Sequence, residues 1–184
     1  MDVWEQIQLD PEAGARLLVT EYGDRLFGAA VMLCHDGGAA EDLVFRTFER
    51  AVERIDLYDS ERPFWNWLYS ILLNFFRMDM RKSKAFVPED ASFVMDALEA
   101  ESGGQVLSQM AEADASIIRD AIARLQPQFR ETVMLRYFEH KTLQEMSELM
   151  SVPTGTVKWR LHQARSELGK VLLALFKDKE EQKQ

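Results

Sequence analysis

The residues best suited to chemistry lie near the carboxyl end of the chain, between Lys141 and Leu168. One predicted helix there carries basic and hydrogen-bonding side chains on a single face: Lys158, Trp159, His162, Gln163 and Arg165. Lys and Arg bind phosphates, while amides and guanidinium groups also bind base edges in the major groove. The pattern predicts binding of duplex DNA. A helical hairpin with an ordinary solvated charged face is the alternative.

Two helices joined by a tight turn would position this basic face. Thr142 and Glu145 have the spacing of a capping box, which predicts the start of the first helix. Pro153 cannot continue that helix but fits the first turn of a second one. The predicted buried positions are Leu143, Met146, Leu149 and Met150, then Val157, Leu161, Ala164, Leu168 and Leu172. This is helix-turn-helix geometry, in which the second helix enters the major groove.

The segment resembles region four of the extracytoplasmic-function sigma factors, the smallest members of the sigma-70 family. The resemblance is carried by residues 152–165, which read VPTGTVKWRLHQAR, and by 123–131 and 134–137 upstream. In that family this helix reads the minus-35 promoter element. The implied minus-35 residues are Arg136, Lys158, Trp159, Arg160, His162, Gln163 and Arg165. The chain departs from the family at Trp159 (usually Ser), Gln163 (usually Arg) and Ser151 (usually the turn Gly).

The first half of the chain predicts three further helices. Asp10, Pro11 and Glu12 form a strong start signal for a helix that runs to about Cys34. His35 to Gly38 breaks it, and an amphipathic helix is predicted from Ala39 to Ile55. An aromatic-rich helix is predicted from Pro63 to about Lys82.

These helices resemble region two of the same family. Residues 41–51 (EDLVFRTFERA) are similar to the segment that docks on the polymerase clamp, and 63–74 (PFWNWLYSILLN) to the segment that melts and reads the minus-10 element. The resemblance implies polymerase contacts at Asp42, Phe45, Arg46 and Glu49. It implies minus-10 contacts at Trp65, Asn74, Arg77 and Arg81. Phe45 and Arg46 stand where the family usually has Gln and Glu, and Phe45 could equally be a core residue.

The aromatic helix also suits capture of an unpaired base on physical grounds. Stacking of a base on an aromatic ring contributes about 1–3 kcal/mol. Asn74 is a poor helix former in mid-helix, which favours a role in base capture. Trp67 falls at helical spacing with Leu68, Ile71, Leu72 and Phe75, so a core position is predicted for it.

Charge is unevenly distributed along the chain of 184 residues, whose net charge is -9. Residues 1–83 hold 9 basic and 15 acidic groups, residues 84–112 hold 1 and 6, and residues 113–184 hold 12 and 10. Only the last part is positive. Because cation–phosphate contacts supply much of DNA affinity, the chain is expected to bind DNA weakly by itself and to depend on a partner.

Several classes of site and location are excluded by the sequence. Cys34 is the only cysteine, and the three histidines are scattered, so we expect no disulfide, metal or other cofactor. We expect no small-molecule substrate and no enzymatic activity. No stretch approaches the roughly 20 apolar residues of a membrane span. The start of the chain lacks the basic residues of a signal peptide, so a cytoplasmic location is expected.

Together these features predict an all-α chain of two helical domains. Residues 10–83 form the region-two domain, 84–112 a flexible acidic linker, and 113–176 the region-four domain, with a frayed tail after it. The resemblance implies a transcription initiation factor that binds promoter DNA and core RNA polymerase at its clamp and flap, under control of an anti-sigma factor. Two alternatives remain: a helix-turn-helix regulator that acts without polymerase, and a sigma-like interaction module that does not bind promoters.

Overall fold

The computed structural model describes residues 2–83 and 115–181 of the chain. The chain divides into two compact units, residues 1–83 and 84–184. Every regular element in the described residues is helical, which confirms the all-α prediction. The predicted acidic linker, 84–112, lies outside the described residues.

Four α-helices and one short 3₁₀ turn build the first unit. They are α1 Val3–Leu9, α2 Pro11–Cys34, α3 Gly37–Glu53, the 3₁₀ turn Ile55–Leu57, and α4 Phe64–Lys82. Helices α2 and α4 agree with the prediction. Helix α3 begins two residues before the predicted Ala39 because the Asp36 side chain accepts the Ala39 amide at 2.7 Å and so caps the helix from Gly37. His35, with φ of 54°, makes the reversal between α2 and α3.

Helix α1 was not predicted from the sequence. Asp2 and Glu5 form a capping box at its start, and Val3 and Ile7 are buried. Gly14 of α2 allows α1 to approach closely, since a Cβ there would lie 2.5 Å from the Ile7 backbone. The signal for α1 was therefore present in the Asp-x-x-Glu spacing.

The core of the first unit lies between α2, α3 and α4. Leu18, Leu26 and Leu33 of α2 are buried at three- to four-residue multiples along the helix, while Tyr22 is half-buried. Helix α4 supplies more of the core residues than any other helix of this unit. Its buried residues are Phe64, Trp65, Leu68, Tyr69, Leu72, Leu73 and Phe76.

The second unit contains four helices in its described residues. They are α5 Ala115–Ala123, α6 Pro127–Val133, α7 Leu143–Met150 and α8 Thr154–Glu181, and a π-helical turn, Met134–Phe138, continues α6. The capping box predicted for α7 is present, with the Glu145 amide donating to the Thr142 hydroxyl at 3.2 Å. Helix α8 continues to Glu181, so the prediction that it ends near Phe176 is wrong.

The core of the second unit follows the predicted helical register. Met146 and Met150 of α7 are buried, as are Val157, Leu161 and Leu168 of α8. Helices α5 and α6 complete this core with Ile122, Phe129 and Val133. The short turn between α7 and α8 places the two helices of the predicted helix-turn-helix against one core.

Candidate nucleic-acid and polymerase interfaces

One outer face of α4 brings together three of the four residues predicted for the minus-10 element. Asn74, Arg77 and Arg81 follow one another at intervals of three and four residues, so they lie on one side of the helix. Asn74 and Arg81 are exposed and Arg77 is half-buried. The Arg77 Nη1 donates to the Asn74 Oδ1 at 3.3 Å, which orients the amide on this face. The surface combines an amide with two guanidinium groups.

Trp65, the fourth residue, does not lie on this face. Nine residues separate it from Asn74, and at about 100° per residue the two lie on opposite sides of the helix. Trp65 is 7% exposed, and the Arg25 guanidinium lies 3.8 Å from its ring centroid. The indole is covered from that side by a cation–π contact. Trp65 therefore lies in the core and not on the face of Asn74, because the helical phase of α4 turns it inward; its role in base stacking stays a prediction.

Trp67 is the ring that shares a face with Asn74, and the sequence argument placed it in the core instead. The two residues are seven apart, which is close to two turns of helix. Trp67 is half-buried, and its ring packs against Tyr58 and Phe64 at centroid distances of 5.4 and 5.5 Å. The seven-residue spacing from Asn74 was the signal that could have identified it.

The outer face of α3 carries three of the residues predicted to bind polymerase. Asp42, Phe45 and Glu49 are exposed at intervals of three and four, and the Phe45 ring is 67% exposed. A large apolar ring beside two carboxylates is the kind of anchor that protein interfaces use. The core alternative for Phe45 is thus excluded. Arg46 is turned instead toward α4, where it contacts Asp79.

Helix α8 presents a narrow line of exposed donors. Lys158 and His162 are exposed one turn apart, while Trp159, Gln163 and Arg165 beside them are half-buried. The Trp159 ring makes an edge contact with Phe129 of α6, with centroids 5.8 Å apart. On the other flank, the Arg165 Nε donates to the Tyr137 hydroxyl at 2.8 Å. Both flanking side chains are thus held by the rest of the unit.

Arg160 does not belong to this exposed line. It lies three residues after Val157 and four before Ala164, both buried, so it has the phase of the apolar face. Arg160 is 6% exposed. The register of the neighbouring apolar residues was the signal for this buried position, and contact of Arg160 with the minus-35 duplex stays a prediction.

Arg136 and the α7–α8 turn lie at the two ends of α7. Arg136 is exposed in the π-helical turn, and its Nη1 donates to the Lys141 carbonyl at 2.9 Å, just before α7. The Ser147 hydroxyl donates to the Val152 carbonyl at 2.6 Å and closes the turn. Ser151 has φ of 54°, the left-handed conformation anticipated where the family usually has Gly.

The described residues, 2–83 and 115–181, form neither a metal cluster nor a membrane-spanning helix. In them no three His, Cys, Asp or Glu side chains are grouped closely enough to hold a metal ion. No helix within these ranges has the length and apolar character needed to cross a bilayer.

Comparison with known families identifies both units. The family model for sigma-70 region 2 matches residues 18–86, and the model for sigma-70 region 4 matches residues 115–168. The two matches occur in the order that the sequence analysis expected and together span well over half of the chain. The chain belongs to the extracytoplasmic-function sigma factors of the sigma-70 family.

Curated relatives agree with this membership, and a solved structure shares the fold. The chain is 29% identical over 168 residues to the ECF RNA polymerase sigma factor SigW of Bacillus subtilis, covering 84% of this chain and 87% of that protein. It is 25% identical over 182 residues to the RNA polymerase sigma-H factor of Pseudomonas aeruginosa, covering 95% and 94%. The fold is similar to that of the sigma factor RpoE from Bartonella quintana, solved with the anti-sigma factor NepR, with a TM-score of 0.62, 22% identity, and coverage of 85% and 95%.

Membership through both regions argues against the first alternative, a regulator that acts without polymerase. A regulator that acts without polymerase would not require region 2, whereas a sigma factor requires both regions. The protein is therefore a sigma factor, a transcription initiation factor of the extracytoplasmic-function type.

Proposed function

We propose that this sigma factor recruits core RNA polymerase to a dedicated set of promoters by using three surfaces of its two units. The main support is the arrangement of α4 and α8, the helices that lie in the two regions defining the family. Each helix exposes polar residues on one side and buries apolar residues on the other. The net charge of -9 supports dependence on polymerase, because the chain offers few cations for independent DNA binding.

The face of α4 is proposed to capture an unpaired base of the minus-10 element. The Asn74 amide can both donate and accept hydrogen bonds with a base edge. Trp67 offers a ring two turns away, and Arg77 and Arg81 offer charge for the strand backbone. Stacking, amide recognition and a basic track are the three contacts that single-stranded DNA requires.

The face of α8 is proposed to bind the minus-35 duplex. Lys158 and His162 are its exposed centre, with Gln163 and Trp159 on one side and Arg165 on the other. Arg136 adds a cation at the start of α7. The edge contact of Trp159 with Phe129 supports a role for the indole as a wall of the surface, able to touch a thymine methyl group or a sugar.

The face of α3 is proposed to dock on core polymerase. Asp42, Phe45 and Glu49 supply an apolar anchor flanked by carboxylates, which suits a basic, apolar-centred partner surface such as the clamp. We propose a flap contact for the second unit on family grounds alone. An anti-sigma factor is proposed as a competitor for these faces, since the similar RpoE was solved with one.

A reconstituted transcription assay tests this function. Core polymerase with this protein should start run-off transcripts at a dedicated promoter, and core polymerase alone should not. Asn74→Ala should reduce strand opening, read by reactivity of unpaired thymines, more than it reduces binding of the holoenzyme to promoter DNA. We expect a loss of about tenfold in opening, since a stacked or hydrogen-bonded base contact contributes about 1–3 kcal/mol.

One control variant and two possible outcomes test the role assigned to the face of α4. Arg16→Ala removes an exposed cation of α2 whose ion pair is with Glu12 of its own helix, so opening should be retained. Failure of the wild-type protein to bind core polymerase would reject the proposed function. Equal loss of binding and opening in Asn74→Ala would reject base capture at that residue.

A further inference from the structure

The strongest unexplained feature of the first unit is the set of contacts around Arg46. Its Nη1 donates to the Asp79 Oδ1 at 3.2 Å, and its Nη2 donates to the Asp79 Oδ2. Its Nε lies 2.9 Å from the Asp42 Oδ2 on its own helix. All three guanidinium nitrogens therefore face carboxylates, and the pair with Asp79 is bidentate, the geometry that gives such pairs their strength and direction.

The pair joins two helices with different proposed partners. Arg46 belongs to α3, whose outer face carries Asp42, Phe45 and Glu49, while Asp79 belongs to α4 between Arg77 and Arg81. The side chains are 25% and 32% exposed, so the pair is neither fully solvated nor fully buried. The ring of Phe75 lies beneath it, 5.1 Å from the Arg46 guanidinium.

A partly buried bidentate pair does what a single surface ion pair does not. It resists sliding and rotation of one helix against the other, because both hydrogen bonds must be kept together.

We propose that Arg46 is a positioning residue for promoter opening: its bridge to Asp79 holds the DNA-facing helix α4 in register with the polymerase-facing helix α3. This inference rests on the proposed function of the two faces. It reassigns Arg46, which the family resemblance placed among the polymerase contacts. Binding of α3 to polymerase then fixes the position of Asn74, Arg77 and Arg81 through the bridge.

The test uses the full-length protein in holoenzyme with core polymerase. Arg46→Ala and Asp79→Asn should each lower the rate of strand opening about five- to tenfold at saturating core polymerase, while the affinity for core changes less than twofold. The double variant should be no worse than either single one, because both remove the same bridge. Reversal of the pair, Arg46→Asp with Asp79→Arg, should recover part of the lost rate.

Arg50→Ala is the matched control. Arg50 lies one turn further along α3 and also approaches Phe75, at 5.9 Å, but its ion pair is with Glu53 of the same helix. Opening by this variant should stay within twofold of the wild type. All rates are compared well below the unfolding temperatures of the variants, so that a loss of folded protein does not enter the ratio.

Other outcomes overturn the proposal. If Arg46→Ala weakens core binding and Asp79→Asn does not, Arg46 is a polymerase contact and the bridge is incidental. If both variants lower the unfolding temperature but open promoters at the wild-type rate, the bridge only stabilises the fold. Should the wild-type protein itself not bind polymerase, the proposed function fails and the positioning role fails with it, whereas coupling of the two residues in unfolding experiments would still show that the bridge exists.

Discussion

Helices α4 and α8 carry the two proposed DNA surfaces, and they differ in what flanks the exposed residues. On α4, Asn74 shares its face with the ring of Trp67, which belongs to an aromatic cluster with Tyr58 and Phe64. On α8, the exposed Lys158 and His162 lie between side chains that the rest of the unit holds in place. An aromatic ring on the same face as an amide suits an unpaired base. A fixed line of donors suits a duplex, whose groove has a set shape.

Each of the two helices also carries one predicted contact residue that is buried. Trp65 and Arg160 have the residue types expected of DNA contacts, yet both lie on the reverse of their helices. On α4 the buried aromatic has a neighbour of the same type, Trp67, on the face of Asn74. On α8 the buried cation has Lys158 as its exposed counterpart. Residue type has to be combined with helical phase before a contact can be assigned.

The largest effect is expected from the two tryptophans of α4. Trp65→Ala should lower the unfolding free energy by about 3–5 kcal/mol, since it removes a buried ring. Trp67→Ala should cost less stability, about 1–2 kcal/mol for a half-buried ring, but should reduce strand opening. Denaturant unfolding followed by circular dichroism and thymine reactivity in the holoenzyme measure the two quantities. A stable Trp65→Ala protein that fails to open promoters would reverse the assignment of the two rings.

An intermediate effect is expected from the two cations of α8. Arg160→Ala should lower stability by about 2 kcal/mol, because it removes a buried side chain, and should leave the salt dependence of minus-35 binding unchanged. Lys158→Ala should change stability by less than about 0.5 kcal/mol and reduce the log–log salt slope by about one. Lys170→Ala, exposed three turns further along, is the control and should leave the slope unchanged. An unchanged slope for Lys158→Ala would remove that residue from the DNA surface.

The smallest effect is expected from the capping box at the start of α7. Hydrogen bonds from the Thr142 backbone and hydroxyl hold the pKa of Glu145 below its usual value. Stabilisation by this carboxylate is therefore present above the unfolded-state pKa and is lost as the pH falls through the lower folded-state pKa. Thr142→Ala should cost about 1 kcal/mol at neutral pH. Helix α4 has no side-chain cap, so no capping contribution to stability should be lost there as the pH falls.

Acid titration of the unfolding free energy measures this effect. Glu145→Gln is the control, since it keeps a hydrogen-bonding side chain but removes the titrating group, and its stability should lose this acid dependence. An acid dependence that persists unchanged in Glu145→Gln would assign the effect to another carboxylate.

Local signals in the sequence were sufficient to predict where most of the described helices begin. Asp10 with Pro11, and Thr142 with Glu145, marked helix starts that the structure confirms, because capping depends on residues three or four positions apart. Helix α1 carried the same signal at Asp2 and Glu5 but is short, and it depends on close contact with Gly14. The end of α8 was placed too early because no proline or glycine marks it.

The sequence by itself determined the helical class, the two family regions and the residue types available for DNA and polymerase, since these follow from periodicity, caps and motif spacing. The tertiary structure decided which of those residues reach the surface. Trp65 is covered by Arg25 of another helix, and Arg46 is drawn to Asp79, 33 residues away. Such contacts depend on how helices pack against one another, and no local pattern specifies that packing.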